Sequence, residues 1–214
     1  MPDLVDEVNE ELRAERAQRL TRRFGGLFVA VALLVLAGVG GWQGWNWYEA
    51  RQAGRTAEAF LATTRDAAAE GADTRAIATR MAGLASDAPP GYRVLTRLRA
   101  AALSADAGDK TAALAIWNTV SADSGADSLY RDLATLMWAT HALEPANAAE
   151  VRARLAPLAG GAWRASVKEL LALASLAAGQ NDEARRQLTE LARDDAAPQG
   201  VRDRAQRLLT GIDG

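Results

Sequence analysis

The stretch that decides the fold is RAAALSADAGDKTAAL at residues 99–114, because its pattern returns as LLALASLAAGQNDEAR at residues 170–185. Each copy has small residues in the middle of a helix, a glycine followed by a polar residue, and an alanine five residues after that glycine. The two copies are 71 residues apart, close to two periods of about 34 residues. A repeat of this length is typical of stacked helix pairs, each of which buries its apolar face against its neighbours.

Small residues at fixed positions have a physical role in such a repeat. Glycine ends a helix in the left-handed conformation that other residues avoid, and alanine lets two helices pack at a short axial distance. Two weaker copies of the pattern are expected, one around Gly71 and Ala78 and one with Ala139 followed by Ala149 and Glu150. An irregular alanine-rich helical bundle is the alternative.

The chain beyond residue 51 has the composition of a helical domain. Alanine is abundant, while the β-branched and aromatic residues that favour strands are sparse. Glycine, proline and aspartate divide it into predicted helices over residues 53–70, 73–86, 91–106, 109–122, 127–143, 146–159, 162–178, 181–194 and 199–210. The predicted fold class is all-α, with a single N-terminal transmembrane helix followed by an α-solenoid of tetratricopeptide-like helix pairs. Three tryptophans are expected to fill its core, Trp117, Trp138 and Trp163.

Residues 24–48 are predicted to form a transmembrane anchor. No charged residue occurs from Gly25 to Tyr48, and about 20 apolar residues in a helix cross a hydrocarbon core of roughly 30 Å. Trp42, Trp45 and Trp47 follow the apolar run and form an interfacial aromatic girdle with Tyr48. A cleaved signal peptide is an alternative, although its apolar run would be too long. A buried core helix is another, but it would not need the arginine and tryptophan flanks.

The distribution of arginines predicts the topology of the anchor. Arg51 and Arg55 follow it, whereas five arginines precede it, namely Arg13, Arg16, Arg19, Arg22 and Arg23. The positive-inside rule therefore makes residues 1–23 a cytosolic tail, which we expect to be helical, and places residues 49–214 outside as a periplasmic tetratricopeptide-like helical domain. The tail is either a solvated juxtamembrane helix or a docking helix for a partner.

The anchor also contains small residues at helix-packing spacing. Gly40 and Gly44 are one pair, and Ala37 and Gly41 are a second pair on a nearby face. Such spacing lets another transmembrane helix approach closely, so these four residues are candidates for membrane helix packing. Glycine-rich anchors also contain such pairs by chance.

The composition offers little for catalysis or for cofactor binding. The chain has no cysteine, and His141 is its only histidine, which removes thiolate nucleophiles, disulfides and histidine-pair metal sites. We predict no enzyme, no cofactor and no metal, because no motif surrounds a nucleophile and no acidic cluster has calcium-loop spacing. The formal net charge of −2 is unlike that of a nucleic-acid binder.

Protein binding by the helical domain would use apolar side chains on its inner face. In the repeat register above, six leucines lie near such positions and are candidate protein-binding residues: Leu95, Leu98, Leu133, Leu136, Leu173 and Leu176. An apolar lining suits unfolded or partly folded chains. The alternative is that these leucines belong to the core between the helix layers.

Two segments near the N-terminus resemble a known family. They are DEVNEELRAER at residues 6–16 and GWQGWNWY at residues 41–48, on either side of the glycine-rich anchor. The sequence resembles the bacterial inner-membrane tetratricopeptide-like proteins that are ancillary subunits of the SecYEG translocon and are found with periplasmic chaperones. The resemblance covers roughly the first 65 residues well and the remainder only in architecture.

This resemblance implies a function in protein export. The partners would be the membrane, translocon subunits, a periplasmic chaperone of the peptidyl-prolyl isomerase type and exported polypeptides, with no nucleic acid and no small-molecule substrate. The protein would have no catalytic activity of its own. The alternative function is a structural scaffold or assembly factor of another envelope complex.

Overall fold

Helices make up most of the computed structural model, which describes the backbone of residues 3–213 and the side chains of residues 26, 27 and 29–212. Within those residues there is no strand, and the α-helices are α1 (Asp3–Ala67), α2 (Thr74–Asp87), α3 (Pro90–Asp106), α4 (Lys110–Ala122), α5 (Ser128–Ala142), α6 (Ala148–Leu155), α7 (Arg164–Ala177), α8 (Asn181–Ala192) and α9 (Gln199–Asp213). The predicted all-α fold class is confirmed. The charged side chains of the tail and the arginines before the anchor lie outside the described side chains.

Backbone contacts divide the chain into two compact units, Met1–Gln52 and Ala53–Gly214. α1 runs through this division without a break and ends at Ala67, so the separate helix predicted over residues 53–70 does not exist. The reason is local: no proline follows Tyr48 in α1, and the one glycine there, Gly54, costs a helix only about 1 kcal/mol.

The helix predicted over residues 146–159 is shorter than expected. Pro145 begins a 3₁₀ turn before α6, and Pro157 lies in a second 3₁₀ turn that follows it. Because proline has no backbone N–H and its ring clashes with the preceding turn, it is tolerated at the start of a helix but not in its interior. α6 is therefore reduced to Ala148–Leu155.

The predicted glycine turns are confirmed. Gly108 has φ +79° and Gly179 has φ +73°. After α3, the N–H of Gly108 donates to the carbonyl of Ala105 (3.0 Å), and the N–H of Asp109 donates to that of Ser104 (2.8 Å). The same pair of bonds follows α7, and together they satisfy the last carbonyls of each helix. Each glycine thus ends the first helix of a pair and turns the chain into the second.

Gly179→Ala is expected to destabilise the domain by about 1 kcal/mol, because a Cβ disfavours the left-handed conformation. Gly83→Ala is the matched control, since Gly83 lies inside α2 and neither position has an atom within 4 Å of an added Cβ. Alanine should stabilise that helix by about 0.5–1 kcal/mol. Urea denaturation followed by circular dichroism measures both changes, and equal midpoints for the two variants would contradict the turn assignment.

A regular register connects the second helices of the pairs. Buried alanines recur at intervals of 35, 35 and 36 residues in α2, α4, α6 and α8, namely Ala78, Ala113, Ala148 and Ala184. In the weak third copy, Ala148 takes this position and the predicted Ala149 is exposed. A second buried column has the same intervals, namely Ala85, Val120, Leu155 and Leu191. This periodicity is that of a helix-pair solenoid and not of an irregular bundle.

The domain has two helix layers. In the first layer α3 packs on α5, α5 on α7 and α7 on α9. In the second layer α2 packs on α3, and each of α4, α6 and α8 packs on the first helices before and after it. Trp117 is fully buried in the largest core cluster, and Trp138 lies in the same cluster. Trp163 packs at the edge of that cluster and donates its indole N–H to the carbonyl of Leu129 (3.1 Å). The core roles predicted for Trp117 and Trp138 are confirmed.

One helical stretch among the described residues, Val29–Ala67, is long and apolar enough to cross a membrane by length and composition. None of its most apolar window is buried. Its large side chains are more than half exposed as far as Tyr48, apart from Val31 at 49%. An N-terminal apolar helix that can serve as a membrane anchor is therefore present.

Candidate functional site

The face of the first helices that points away from the second layer carries partly exposed apolar residues. Residues three, four and seven positions apart share one side of a helix, so on α3 this side is formed by Leu95, Leu98 and Ala102. Counting on from Ala102 by 35, then 36, then 35 residues reaches one half-buried apolar residue on each of α5, α7 and α9, namely Met137, Leu173 and Leu208. We call this surface the first-helix face and define it by Leu95, Leu98, Ala102, Tyr130, Leu133, Met137, Leu173, Leu176 and Leu208.

The six predicted leucines lie at different depths. Leu95 has the largest exposure, at 36%, while four are half-buried, namely Leu98, Leu133, Leu173 and Leu176. Leu136 is 7% exposed and belongs to the main core cluster. Five of the six therefore lie on the first-helix face, and their role in binding stays a prediction. Leu136 packs inside the domain.

Sequence reasoning missed four residues of this face, namely Ala102, Tyr130, Met137 and Leu208. Tyr130 and Met137 pack at the edge of the main core cluster, and Leu208 at the edge of the cluster beneath α9. The signal was available, because counting 35 residues on from Ala102 leads to Met137. It was missed because the repeat that contains α5 lacks the glycine by which the two clear copies were aligned.

An ion pair with a buried carboxylate interrupts the face between α7 and α9. Leu98 on α3 and Leu133 on α5 occupy equivalent positions of two repeats. The next two equivalent positions, 36 and then 35 residues further along the chain, are Glu169 on α7 and Arg204 on α9. The guanidinium of Arg204 donates two hydrogen bonds of 2.7 Å, one to each carboxylate oxygen of Glu169. These bonds raise the pKa of Arg204 above its usual value, against the smaller effect of burial. The column therefore changes from apolar to charged at α7.

Arg99 lies beside the face at its other end. Its Nε is buried and has no hydrogen-bond partner, and none of the ion pairs found among the described side chains includes it. The equivalent positions on the later first helices are apolar and buried, namely Ala134, Leu170 and Ala205. The Nε of Arg131 is also unpartnered. However, the residues at equivalent positions of other repeats, Thr96 and Val167, are buried in the core, so Arg131 does not belong to the face.

The lone histidine has a structural environment. The ring of His141 stacks on that of Trp117 at 4.7 Å between centroids and 28° between planes. The acidic residues at helix ends form caps and turns: Asp127 accepts the N–H of Leu129 (2.8 Å), and Asp194 that of Ala196 (3.0 Å). These contacts agree with the expectation that aspartates mark boundaries between helices.

Polar side chains of the second layer pair with one another. Near the start of α8, Arg152 donates to the side chain of Gln180 (2.7 Å). Arg186 donates to Glu183 and holds the pKa of that carboxyl below its usual value. Lys110 does the same to the pKa of Glu144 between α4 and the turn after α5. These charges are satisfied within the chain and offer less to a partner than the first-helix face does.

The small residues of the anchor are open along α1. Ala37, Gly40, Gly41 and Gly44 are all exposed, and a Cβ added at any of the three glycines would meet no atom within 4 Å. The space needed for a second helix is therefore free on this side of α1. The pairing itself stays a prediction.

Comparison with known proteins agrees with this architecture. The family model described as a tetratricopeptide repeat-like domain matches residues 20–209, which include the apolar part of α1 and helices α2 to α8. Searches of the curated proteins and of the solved structures gave no match. Domains of this kind are typically protein-binding modules without catalytic activity. The chain belongs to the tetratricopeptide repeat-like domain family.

Proposed function

We propose that this protein is a membrane-anchored protein-binding subunit that assists exported polypeptides together with the protein-export translocon and periplasmic chaperones. The observation that carries the proposal is the first-helix face, where partly exposed apolar residues recur at the spacing of the repeat. Such a surface binds apolar segments of other chains by excluding water from both partners.

The spacing of the first helices suits an extended segment. Packed helices lie about 8–10 Å apart, and an extended chain advances about 3.3 Å per residue. Every third residue of a segment that crosses the face would therefore meet the next first helix. Leu95 and Leu98 would contact one apolar residue, Leu133 and Met137 the next, and Leu173 the third.

The proposed location is the bacterial inner membrane. Residues 1–23 form the cytosolic tail, residues 24–48 the single-pass anchor, and residues 49–214 the periplasmic domain. Support comes from the uncovered apolar surface of α1 and from the excess of arginines before it. The translocon and chaperone partners are suggested by the resemblance of the N-terminal segments and by the apolar face.

Photocrosslinking from the full-length protein in cells tests this function. A photoreactive residue at Leu95 or Leu173 should label exported chains and translocon components, whereas one at the exposed Thr79 of α2 should label them much less. Labelling of one stable partner outside the export machinery would favour the alternative, a structural scaffold or assembly factor of another envelope complex. Equal labelling from all three positions would contradict a role for the first-helix face.

Leu95→Gln should weaken the binding of a leucine-containing peptide by roughly fivefold, because about 1 kcal/mol of apolar contact is lost. Leu61→Gln is the matched control, since Leu61 is an exposed leucine of α1 outside the face. Both substitutions keep a good helix former. Fluorescence anisotropy with the full-length protein in lipid nanodiscs measures both affinities. Equal losses in the two variants would argue against the face.

A further inference from the structure

We propose that the segment bound by the first-helix face carries acidic residues on both sides of its apolar part. This inference rests on the proposed function and specifies the chemistry of the partner. Its basis is charge complementarity, because an arginine with free hydrogen-bond donors lies at each end of the apolar surface. These are Arg99 on α3 and Arg204 on α9.

At the α3 end, Arg99 is four residues from Leu95 and three from Ala102, so it shares their side of the helix. A guanidinium carries five N–H donors and remains charged. The Nε of Arg99 is buried and has no partner. A bound chain does not reach that atom, so its carboxylate would pair with the outer nitrogens of the guanidinium by charge-assisted hydrogen bonds.

At the α9 end, Glu169 and Arg204 are unequally exposed. The side chain of Glu169 is 11% exposed and that of Arg204 is 48% exposed. Both carboxylate oxygens of Glu169 accept from Arg204, which leaves three of the five guanidinium donors available. The polar groups directed to solvent at this position are therefore donors, and they favour an acceptor on the partner.

Other charges near the α3 end of the face alter this balance little. On α3, Arg97 is paired with Asp123 at 3.2 Å, and Arg93 donates to the carbonyl of Ala88. Asp106 is exposed, but it is the last residue of the helix and lies about two turns from Arg99. A basic segment would meet a guanidinium at each end, and like charges at short range disfavour binding.

The distance between the two arginines also sets the length of the apolar part of the bound segment. From α3 to α9 there are three steps between adjacent first helices, or about 24–30 Å at the usual helix spacing. An extended chain covers that distance in about seven to nine residues. The acidic residues of the partner should therefore be separated by an apolar part of about this length.

Binding of three fluorescent peptides to the full-length protein in nanodiscs tests the proposal. Each peptide has a nine-residue centre with leucine at every third position and serine elsewhere, and it is flanked by two aspartates, two serines or two lysines at each end. We expect the aspartate peptide to bind at least tenfold more tightly than the lysine peptide at low salt. This ratio should shrink in about 0.5 M salt, where charges are screened beyond a few ångströms.

Variants that introduce the residue types found at equivalent positions of other repeats show which arginine causes the preference for the aspartate peptide. Arg99→Leu introduces the apolar type found at Leu170, and the double variant Glu169→Leu with Arg204→Leu continues the column of Leu98 and Leu133. Each should lower the aspartate-to-serine affinity ratio severalfold. Arg99→Lys should retain part of it, and Arg75→Gln, at an exposed position of α2, should retain all of it. Circular dichroism checks folding, and if the double variant fails to fold, Arg99→Leu alone decides.

The possible outcomes separate this inference from the proposed function. Binding of the serine peptide without any gain from aspartate, or a preference for lysine, overturns the acidic partner and leaves the apolar face. A preference that persists in Arg99→Leu and in the double variant also overturns it. If none of the three peptides binds, the proposed function fails, and the acidic partner fails with it.

Discussion

Trp117→Ala is expected to lower the free energy of unfolding of the helical domain by about 3–5 kcal/mol. Trp117 is 0% exposed and is the largest fully buried side chain among the described residues. Its removal leaves a cavity in the main core cluster, which spans residues from Val94 to Ala174, and it takes away the ring on which His141 stacks. Chemical denaturation of the full-length protein in detergent, followed by circular dichroism, measures this loss.

Two further tryptophan variants give this experiment its controls. Trp47→Ala removes the same side chain from α1, where it is 62% exposed, and should change the stability of the domain by less than about 0.5 kcal/mol. Trp117→Leu introduces the residue found 71 positions later, where Leu188 is fully buried. Trp117→Leu should lower the free energy of unfolding by less than Trp117→Ala does, because leucine fills more of the cavity. A Trp117→Ala protein as stable as the unmodified one would show that the cluster is not the core.

Deletion of residues 1–48 is expected to abolish membrane association and to leave a soluble, helical domain that unfolds cooperatively. All three core clusters are formed by residues from Phe60 onward, so the deletion removes none of their members. It removes the exposed apolar run and the aromatic residues that follow it. Vesicle flotation, size-exclusion chromatography and thermal denaturation followed by circular dichroism measure the three properties.

A longer deletion is the matched comparison. Removing residues 1–68 also takes away Phe60, which packs against the cluster that contains Ile77 and Met81. That fragment should lose roughly 2–4 kcal/mol relative to the first, because an apolar layer of the core becomes exposed. Aggregation or low helix content of the shorter deletion, or its continued flotation with vesicles, would refute the assignment of the two parts.

The features that could be predicted from the sequence depend on neighbours in the chain. Gly108 and Gly179 end their helices because only a residue without a Cβ adopts positive φ at low cost. Asp73, Asp109 and Asp127 each accept a backbone N–H at the start of a helix, which follows from their side-chain chemistry. Predicted helix boundaries from α3 onward accordingly agree with the structure within about three residues, except around the prolines that flank α6.

The sequence by itself determined the all-helical repeat, its glycine turns and the apolar helix at its N-terminus, because each depends on residues within a few positions of one another. Only the tertiary structure decided that Leu136 is core and that Arg204 binds Glu169 across 35 residues. Exposure and charge pairing depend on side chains contributed by other helices. The packing of those helices determines both the exposure and the charge pairing, and this packing cannot be read from the local pattern of the sequence.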